Sequence, residues 1–140
     1  MRKGNPFSEP RCKRLDDLLR AKLREMTNGC CERCKTPVSG FSSQLSHGFT
    51  RKIKSLRWDR LNVAHFCANC HWHYTNNPPR AEAILRLLLG HAGYEELVRR
   101  WQRKTQVKEL DYDQIKNYIA NLELGQYPDV SPVPLWELGK

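Results

Sequence analysis

Four of the six cysteines in this 140-residue chain form two Cys-x2-Cys pairs, Cys31/Cys34 and Cys67/Cys70. A Cys-x2-Cys turn places two thiolates on one side of a tight knuckle, and two such knuckles supply the ligands of a tetrahedral zinc ion. Cys30 is an alternative partner for Cys34, but the twin spacing favours Cys31. We therefore predict a structural zinc site, whose filled sphere leaves no position for a substrate.

Histidines and an asparagine are placed around these knuckles in an order that suits phosphodiester hydrolysis. His47 lies between the two pairs, Asn62 precedes the second pair, and His71 and His73 follow it directly. Hydrolysis needs a base to activate water and a divalent cation to stabilise charge on the phosphate. We predict His47 as the general base and Asn62 as the residue that orients the active-site loop. His71, His73 or both are predicted to bind the catalytic ion.

A cationic run directly after His47 is predicted to contact DNA phosphates: Arg51, Lys52, Lys54, Arg57 and Arg60. The formal net charge of the chain is +9, and the excess of Lys and Arg is concentrated in residues 1–60. A positive field of this kind raises the local concentration of polyanions. Such runs are often only solvated surface, but the position beside a candidate base favours phosphate contact. DNA is therefore the predicted partner.

The length of 140 residues predicts one domain, and the composition, 39% hydrophobic and 28% charged, predicts a modest core. A core this modest would need the support of the metal. Four segments are predicted in order: a basic N-terminal helix in residues 1–29, a zinc-clamped core in 30–79, helices in 80–125 and an extended tail in 126–140.

Hydrophobic spacing predicts where the helices lie. The first covers residues 8–27, with Ser8 as its cap and Asn28-Gly29 as its end. Its apolar stripe is predicted to contain Leu15, Leu18, Leu19, Leu23 and Met26. Three more helices are expected, over residues 80–89, 94–104 and 111–124, the last opening with an Asp111–Gln114 capping box. Pro78-Pro79 is expected to close the central segment.

Targeting signals are not evident. No run of about 18 apolar residues is present, and the basic start of the chain lacks the apolar segment of a secretory signal. We therefore expect the cytoplasm, where thiols stay reduced and clustered cysteines bind metal instead of forming disulfides.

The cysteine and histidine positions together resemble the HNH, or ββα-metal (His-Me finger), endonucleases. In that family a Cys-x2-Cys knuckle precedes a strand that ends in the general-base histidine. A loop carrying an asparagine follows, and then a helix headed by Cys-x2-Cys-His. The matching residues here are Cys31/Cys34, His47, Asn62 and Cys67/Cys70/His71. The resemblance implies an α+β fold with a zinc-stabilised ββα-metal core between flanking helices, and metal-dependent endonuclease activity on DNA.

A closer resemblance covers most of the chain. It is similar to the NinG/Rap family of phage recombination nucleases in three stretches, Leu45–Gly48, Leu56–Asn62 and Cys67–Asn77, and in the segment 89–97 that follows. That family is associated with cleavage of Holliday junctions and D-loops in recombination. The resemblance implies branched DNA as substrate, and two copies acting on one junction would form a homodimer.

Two departures from these patterns leave the catalytic ligands open. Many HNH enzymes have an acidic ligand before the base histidine, where this chain has Ser46. The NinG-like pattern commonly has Asn at the position of His71, which leaves His73 as the natural ligand. The ion, Mg²⁺ or Mn²⁺, is therefore expected to bind His71, His73 or both, with an oxygen of Asn62 or Ser46 as a further candidate. The alternatives are a non-catalytic zinc DNA-binding module, which Ser46 favours, and a sequence-recognising homing-type nuclease.

Overall fold

The structure is a computed structural model that describes residues 7–49, 52–103 and 110–122. Within these residues it has an α+β fold of five helices and one antiparallel sheet of two strands. The elements in chain order are α1 (Glu9–Met26), β1 (Gln44–His47), α2 (Lys54–Arg57), β2 (Val63–Phe66), α3 (Ala68–Asn76), α4 (Pro78–Gln102) and α5 (Tyr112–Ala120). Two 3-10 turns cover Gly40–Ser42 and Arg60–Asn62. The predicted tail, 126–140, lies outside the described residues. Among the described helices, none has the length and apolar character required to cross a bilayer.

Helix α1 has the predicted apolar face. The residues that recur at a spacing of four on this face are fully buried: Leu15, Leu19 and Leu23. Leu18 was predicted on the same stripe, but its side chain is 37% exposed because it lies at the edge of the face. The helix ends where expected, since Asn28 and Gly29 take positive φ values of 55° and 74°. Asparagine and glycine tolerate this left-handed backbone, which terminates a helix.

The caps of the helices differ in part from the predictions. Ser8 occupies the N-cap of α1, but its hydroxyl makes no capping hydrogen bond. The Asp111 carboxylate accepts a hydrogen bond from the Gln114 backbone N–H at 3.1 Å, which is one of the two hydrogen bonds of the predicted capping box. The Asn77 side chain accepts one from the Arg80 N–H at 3.2 Å and begins α4.

Helix α4 corrects one prediction and agrees with another. Pro78 and Pro79 begin this helix, because the first turn needs no backbone N–H donor from them. The two helices predicted over 80–89 and 94–104 are present as two helical segments of α4, which ends at Gln102, and they meet at a kink at Gly90. Gly90 has φ 70° and ψ 176°, a conformation that only glycine adopts without strain.

The two strands pair in a register that sets the direction of each side chain. Leu45 lies opposite His65, and Ser46 lies opposite Ala64. Successive residues of a strand point to opposite faces, so Ser46 and His47 face different sides of the sheet. All four residues of β2 are buried. This is expected for a strand covered on both faces.

Hydrophobic clusters cover both faces of the sheet. Val63 belongs to a cluster with the leucines of α1 and with Ile115, Tyr118 and Ile119 of α5. Ala64 and Phe66 belong to a second cluster with residues of α3 and α4. The segment predicted as the nuclease core, residues 30–79, therefore shares its hydrophobic core with the flanking helices.

Buried ion pairs join the centre of the chain to α4. Both carboxylate oxygens of Asp59 lie 2.8 Å from Arg100 Nη1, and the side chains are 0% and 1% exposed. Burial alone would lower the pKa of Arg100, but the charges and hydrogen bonds of Asp59 and Glu96 outweigh it and raise that pKa. Asp59 also accepts a hydrogen bond from the Leu61 N–H at 3.0 Å, which starts the second 3-10 turn.

Asp59→Asn is expected to lower the free energy of unfolding by about 2–4 kcal/mol, because it removes the carboxylate nearest to the buried Arg100 charge and leaves that of Glu96, 3.2 Å away. Adding Arg100→Leu should recover most of this loss, since the double variant retains the acceptor for Leu61 and removes the charge. Urea denaturation of the zinc-loaded protein measures both effects. A single-variant loss below about 1 kcal/mol would contradict the assignment.

Candidate functional site

The four predicted zinc ligands converge. The Sγ atoms of Cys31, Cys34, Cys67 and Cys70 all lie within 4.8 Å of one another. Four sulfurs at about 2.3 Å from a tetrahedral zinc ion are about 3.8 Å apart. The Cys34–Cys67 pair has this separation, 3.8 Å. The cluster could therefore bind zinc, and the donor set fits that metal. Cys31 and not Cys30 belongs to this cluster, and Cys30 Sγ contacts the Asn28 carbonyl at 3.7 Å.

The first knuckle is a tight turn attached to the sheet. The Cys31 N–H donates to Thr36 O, and the Lys35 N–H donates to Cys31 O, both at 2.9 Å. Lys35 has φ 65°, which lets the chain reverse after Cys34. The Glu32 N–H donates to His65 O at 2.9 Å, and the His65 N–H donates to the Glu32 carboxylate at 3.1 Å. These bonds dock the knuckle on β2.

The second knuckle is the start of α3. Cys67 is the N-cap of this helix, and its Sγ accepts a hydrogen bond from the Cys70 N–H at 3.4 Å. The guanidinium of Arg33 donates to Cys70 Sγ at 3.6 Å, which brings positive charge to a thiolate-rich site. His71 follows Cys70 directly, so a metal held by the knuckles would also fix the direction of the His71 side chain.

The thiols differ in acidity according to their surroundings. Burial raises the pKa of Cys70 to about 12 and also raises the pKa of Cys31. The Thr36 side-chain and backbone hydrogen bonds lower the pKa of the exposed Cys34 to about 6. Four adjacent thiolates repel one another unless a cation is bound. A zinc ion supplies that charge and displaces the protons of the buried thiols.

A second feature is a pocket of about 550 Å³ beside β1, which we call the histidine pocket; its lining includes His47, His71 and Thr75. His47 is the last residue of β1, and its Nε2 lies 3.0 Å from the Arg57 backbone carbonyl. A carbonyl only accepts hydrogen bonds, so Nε2 donates, and Nδ1 is the basic nitrogen of the neutral ring. This contact fixes the tautomer and orientation of His47.

Ser46 and His71 form a close pair beside this pocket. The Ser46 hydroxyl lies 2.6 Å from His71 Nδ1, and Ser46 is completely buried. Burial lowers the pKa of His71, which favours the neutral ring that binds metals. Neighbouring ligands of an octahedral ion with bonds of about 2.1 Å are about 3 Å apart. The separation of 2.6 Å is instead that of a hydrogen bond, so the two atoms would have to move apart slightly to take adjacent positions on one divalent ion.

His73 does not share this arrangement. It lies two residues beyond His71 on α3, which turns its side chain by roughly 200° around the helix. His73 packs edge-on against Trp72, with ring centroids 5.1 Å apart, and it does not line the histidine pocket. Of the two predicted ligands, only His71 is brought to His47.

Asn62 is buried behind the loop that follows His47. Its Oδ1 accepts a hydrogen bond from the Phe49 N–H at 2.6 Å, and its Nδ2 donates to Leu56 O at 3.0 Å. The Gly48 N–H donates to Asn62 O at 2.6 Å. A Cβ at Gly48 would lie 3.1 Å from both Asn62 Oδ1 and Tyr74 Oη, a tight contact that favours glycine at this position. This placement suits a role in holding the loop, whereas the carboxamide is engaged and does not fit the alternative role of metal ligand.

The predicted cationic run is divided by the fold. Arg57 donates to the Asp16 carboxylate at 2.6 and 3.1 Å, and the buried Arg60 pairs with Glu32 and donates to Val63 O. The prediction that these two arginines contact DNA phosphates is therefore corrected, because both are buried and held in structural ion pairs. Lys52 and Lys54 are exposed. Arg51 lies outside the described residues.

Residues of α1 are the part of the site that the sequence did not predict. Asp16 accepts hydrogen bonds from Arg57 and, at 2.9 Å, from Trp58 Nε1. Because the Arg57 carbonyl contacts His47, this carboxylate supports the backbone that orients the ring. Lys13 and Arg20 of α1 also line the histidine pocket. No local pattern in the sequence links α1 to residue 57.

Comparison of the chain with protein-family models, with curated proteins and with solved structures found no match. The interpretation of the site therefore depends on its geometry.

Proposed function

We propose that this chain is a zinc-stabilised, metal-dependent DNA endonuclease of the ββα-metal type that cleaves branched recombination intermediates such as Holliday junctions and D-loops. The observation that carries the proposal is the histidine pocket. His47 at the end of β1 and His71 on α3 line the same pocket, although 24 positions separate them in the chain. The order β1, β2, α3, with the second knuckle at the start of the helix, is the order that the ββα-metal fold requires.

In the proposed reaction, His47 is the general base. Its Nε2 donates to the Arg57 carbonyl, so Nδ1 accepts the proton of the attacking water. Asn62 holds the loop that begins at Gly48 and thereby maintains the position of the histidine.

His71, with the Ser46 hydroxyl beside it, is the proposed ligand pair for Mg²⁺ or Mn²⁺. When bound, the ion supplies positive charge at the phosphate and at the leaving oxygen. Such an ion needs only a small number of protein ligands, because Mg²⁺ usually retains several waters and binds substrate phosphate directly. Zinc in the four-cysteine cluster would be structural, since its sphere is complete.

One observation favours a second candidate, a zinc module that binds DNA without cleaving it. Among the described residues, the cysteine cluster is the only group of three or more His, Cys, Asp or Glu side chains close enough to hold a metal. An acidic side chain at the position of Ser46 would offer a further metal ligand beside His71, and serine does not carry that charge. Activity with added metal distinguishes the two candidates.

The proposed function is tested by incubating the zinc-loaded protein with a Holliday junction, a D-loop, a fork and a linear duplex. We expect cleavage of the branched substrates with added Mg²⁺ or Mn²⁺, at rates above that of the duplex, and none without added metal. Retained binding with no cleavage in any metal would favour the zinc module. Sedimentation of the protein–junction complex measures whether two copies bind.

Asp16→Asn tests the support of His47. Loss of the paired charge should destabilise the protein by about 1–3 kcal/mol and lower kcat with little change in KM. The matched control is Asp113→Asn, because Asp113 is exposed on α5 and does not line the histidine pocket. We expect the control to change stability by less than about 1 kcal/mol. Equal effects of the two substitutions on kcat would argue against a positioning role for Asp16.

A further inference from the structure

Phe41 is the most exposed large hydrophobic side chain in the described part of the chain, with 98% of its surface accessible. A ring left in water forgoes the free energy that burial of an aromatic side chain provides. Single exposed apolar residues are common and by themselves indicate nothing. The turn that carries Phe41 is hydrogen-bonded, however, and charged side chains line the groove beside it.

The turn that presents Phe41 is fixed at both ends. The Ser39 N–H donates to Ser42 Oγ at 3.0 Å, and the Ser42 hydroxyl donates back to Ser39 O at 2.8 Å. The Ser43 hydroxyl lies 2.7 Å from Nε2 of the buried His65, which anchors the turn in the core. The exposed ring is therefore held on a defined backbone.

A groove of about 930 Å³ separates this turn from α1. Its lining includes three cations of α1, Lys13, Arg20 and Arg24, against the two carboxylates Asp17 and Glu25. Asp17 is paired with Arg20 at 2.7 Å. The groove thus combines an aromatic face with a small excess of positive charge, the combination by which proteins bind single-stranded nucleic acid.

The groove is continuous with the histidine pocket. Lys13, Asp17, Arg20 and Gln44 line both. Gln44 begins β1, and His47 ends it three residues later. A DNA strand that occupies the groove would therefore continue along β1 to His47 and His71.

We propose that this groove binds an unpaired stretch of DNA next to the cleaved phosphate, with a base stacked on Phe41 and phosphates on Lys13 and Arg24. The inference rests on the proposed nuclease function and specifies its substrate. An unpaired base can offer its face to an aromatic ring, whereas a base within a duplex is stacked on its neighbours. Phe41 would thus select DNA with unpaired bases at a branch.

The test measures binding by fluorescence anisotropy with the full, zinc-loaded chain and no added Mg²⁺ or Mn²⁺. The probes are a duplex, the same duplex with a four-nucleotide gap, and a fork with an unpaired arm. Phe41→Ala should weaken binding to the gapped and forked probes about tenfold or more, and to the duplex less than about twofold. Phe41→Trp should retain binding, because it preserves the stacking face. Leu87→Ala is the matched control, since Leu87 is 82% exposed on α4 and lies outside the groove.

Two further measurements test the parts of the surface separately. A 2-aminopurine in the gap should be quenched by the parent protein and not by Phe41→Ala. Lys13→Ala with Arg24→Ala should reduce the slope of log affinity against log salt by roughly 2. Unchanged DNA affinity and unchanged quenching in Phe41→Ala would overturn the proposal, as would equal weakening on all probes.

These experiments test the proposed binding surface and the proposed nuclease function independently. If the protein binds gapped DNA through Phe41 but cleaves no DNA, the proposed surface is supported and the proposed nuclease function is wrong. If the protein cleaves branched DNA with no contribution from Phe41, the nuclease function is supported and the proposed surface is wrong. If Phe41→Ala instead disrupts only a complex with another protein, the exposed ring is a protein contact and the proposal is wrong.

Discussion

Replacing Cys70 by serine is expected to unfold the protein at 25 °C. Structural zinc contributes on the order of 10 kcal/mol in small modules, and a whole domain is stable by only about 5–15 kcal/mol. Cys70 belongs both to the sulfur cluster and to a hydrophobic core, so its loss would affect the knuckle and the start of α3 together. Circular dichroism would show the loss of helix, and metal analysis would show less than one zinc per chain.

Cys30→Ser is the matched control for this experiment. Cys30 is adjacent to a ligand in the chain, but its Sγ contacts the Asn28 carbonyl instead of the cluster. The variant should retain one zinc and unfold within about 1 kcal/mol of the parent protein. Zinc loss in Cys30→Ser, or a fully folded and metal-loaded Cys70→Ser, would show that the cluster has been assigned incorrectly.

The second large effect is expected from His47→Ala, which should lower the rate of DNA cleavage about 10²–10⁴-fold. The substitution removes the proposed base but leaves the structural zinc site intact, so folding and DNA affinity should change little. Single-turnover cleavage of a branched substrate, with anisotropy for affinity, separates these quantities. A wild-type rate in His47→Ala with Mg²⁺ or Mn²⁺ would contradict the proposed mechanism.

The histidines of α3 provide an internal comparison for that experiment. His71 lines the histidine pocket, whereas His73 packs against Trp72 and does not. His71→Ala should therefore lower cleavage strongly and raise the metal concentration needed for half-maximal rate. His73→Ala should stay within a few-fold of the parent, and the reverse order of effects would move the proposed ion to His73.

Features encoded by short spacing were predicted well from the sequence. The two Cys-x2-Cys pairs predicted the sulfur cluster, because a knuckle of this length places both thiols on one side. The spacing of four between leucines predicted the buried face of α1. In both cases the information lies within a few residues of chain.

Features that depend on distant partners were not predictable in this way. Arg57 belongs to a cationic run in the sequence, but its partner Asp16 lies 41 residues away. Arg60 pairs with Glu32, 28 residues away. Whether an arginine is free to bind phosphate is decided by tertiary packing, which no local pattern records. Which of His71 and His73 lines the pocket with His47 likewise depends on how α3 is rotated about its axis relative to β1, and no local pattern gives that rotation.

The packing of α5 against α1 has a consequence for how the molecule is assembled. Leu19 of α1 and Ile115 of α5 are both completely buried in one cluster, although they come from opposite parts of the described chain. During synthesis the leucines of α1 leave the ribosome long before the α5 residues that pack on them. Trp58 and Val63 cover part of the same leucines and emerge earlier, so α5 completes this packing. The wall that α1 gives to the histidine pocket would therefore be fully packed only after α5 has left the ribosome, later than the metal knuckles.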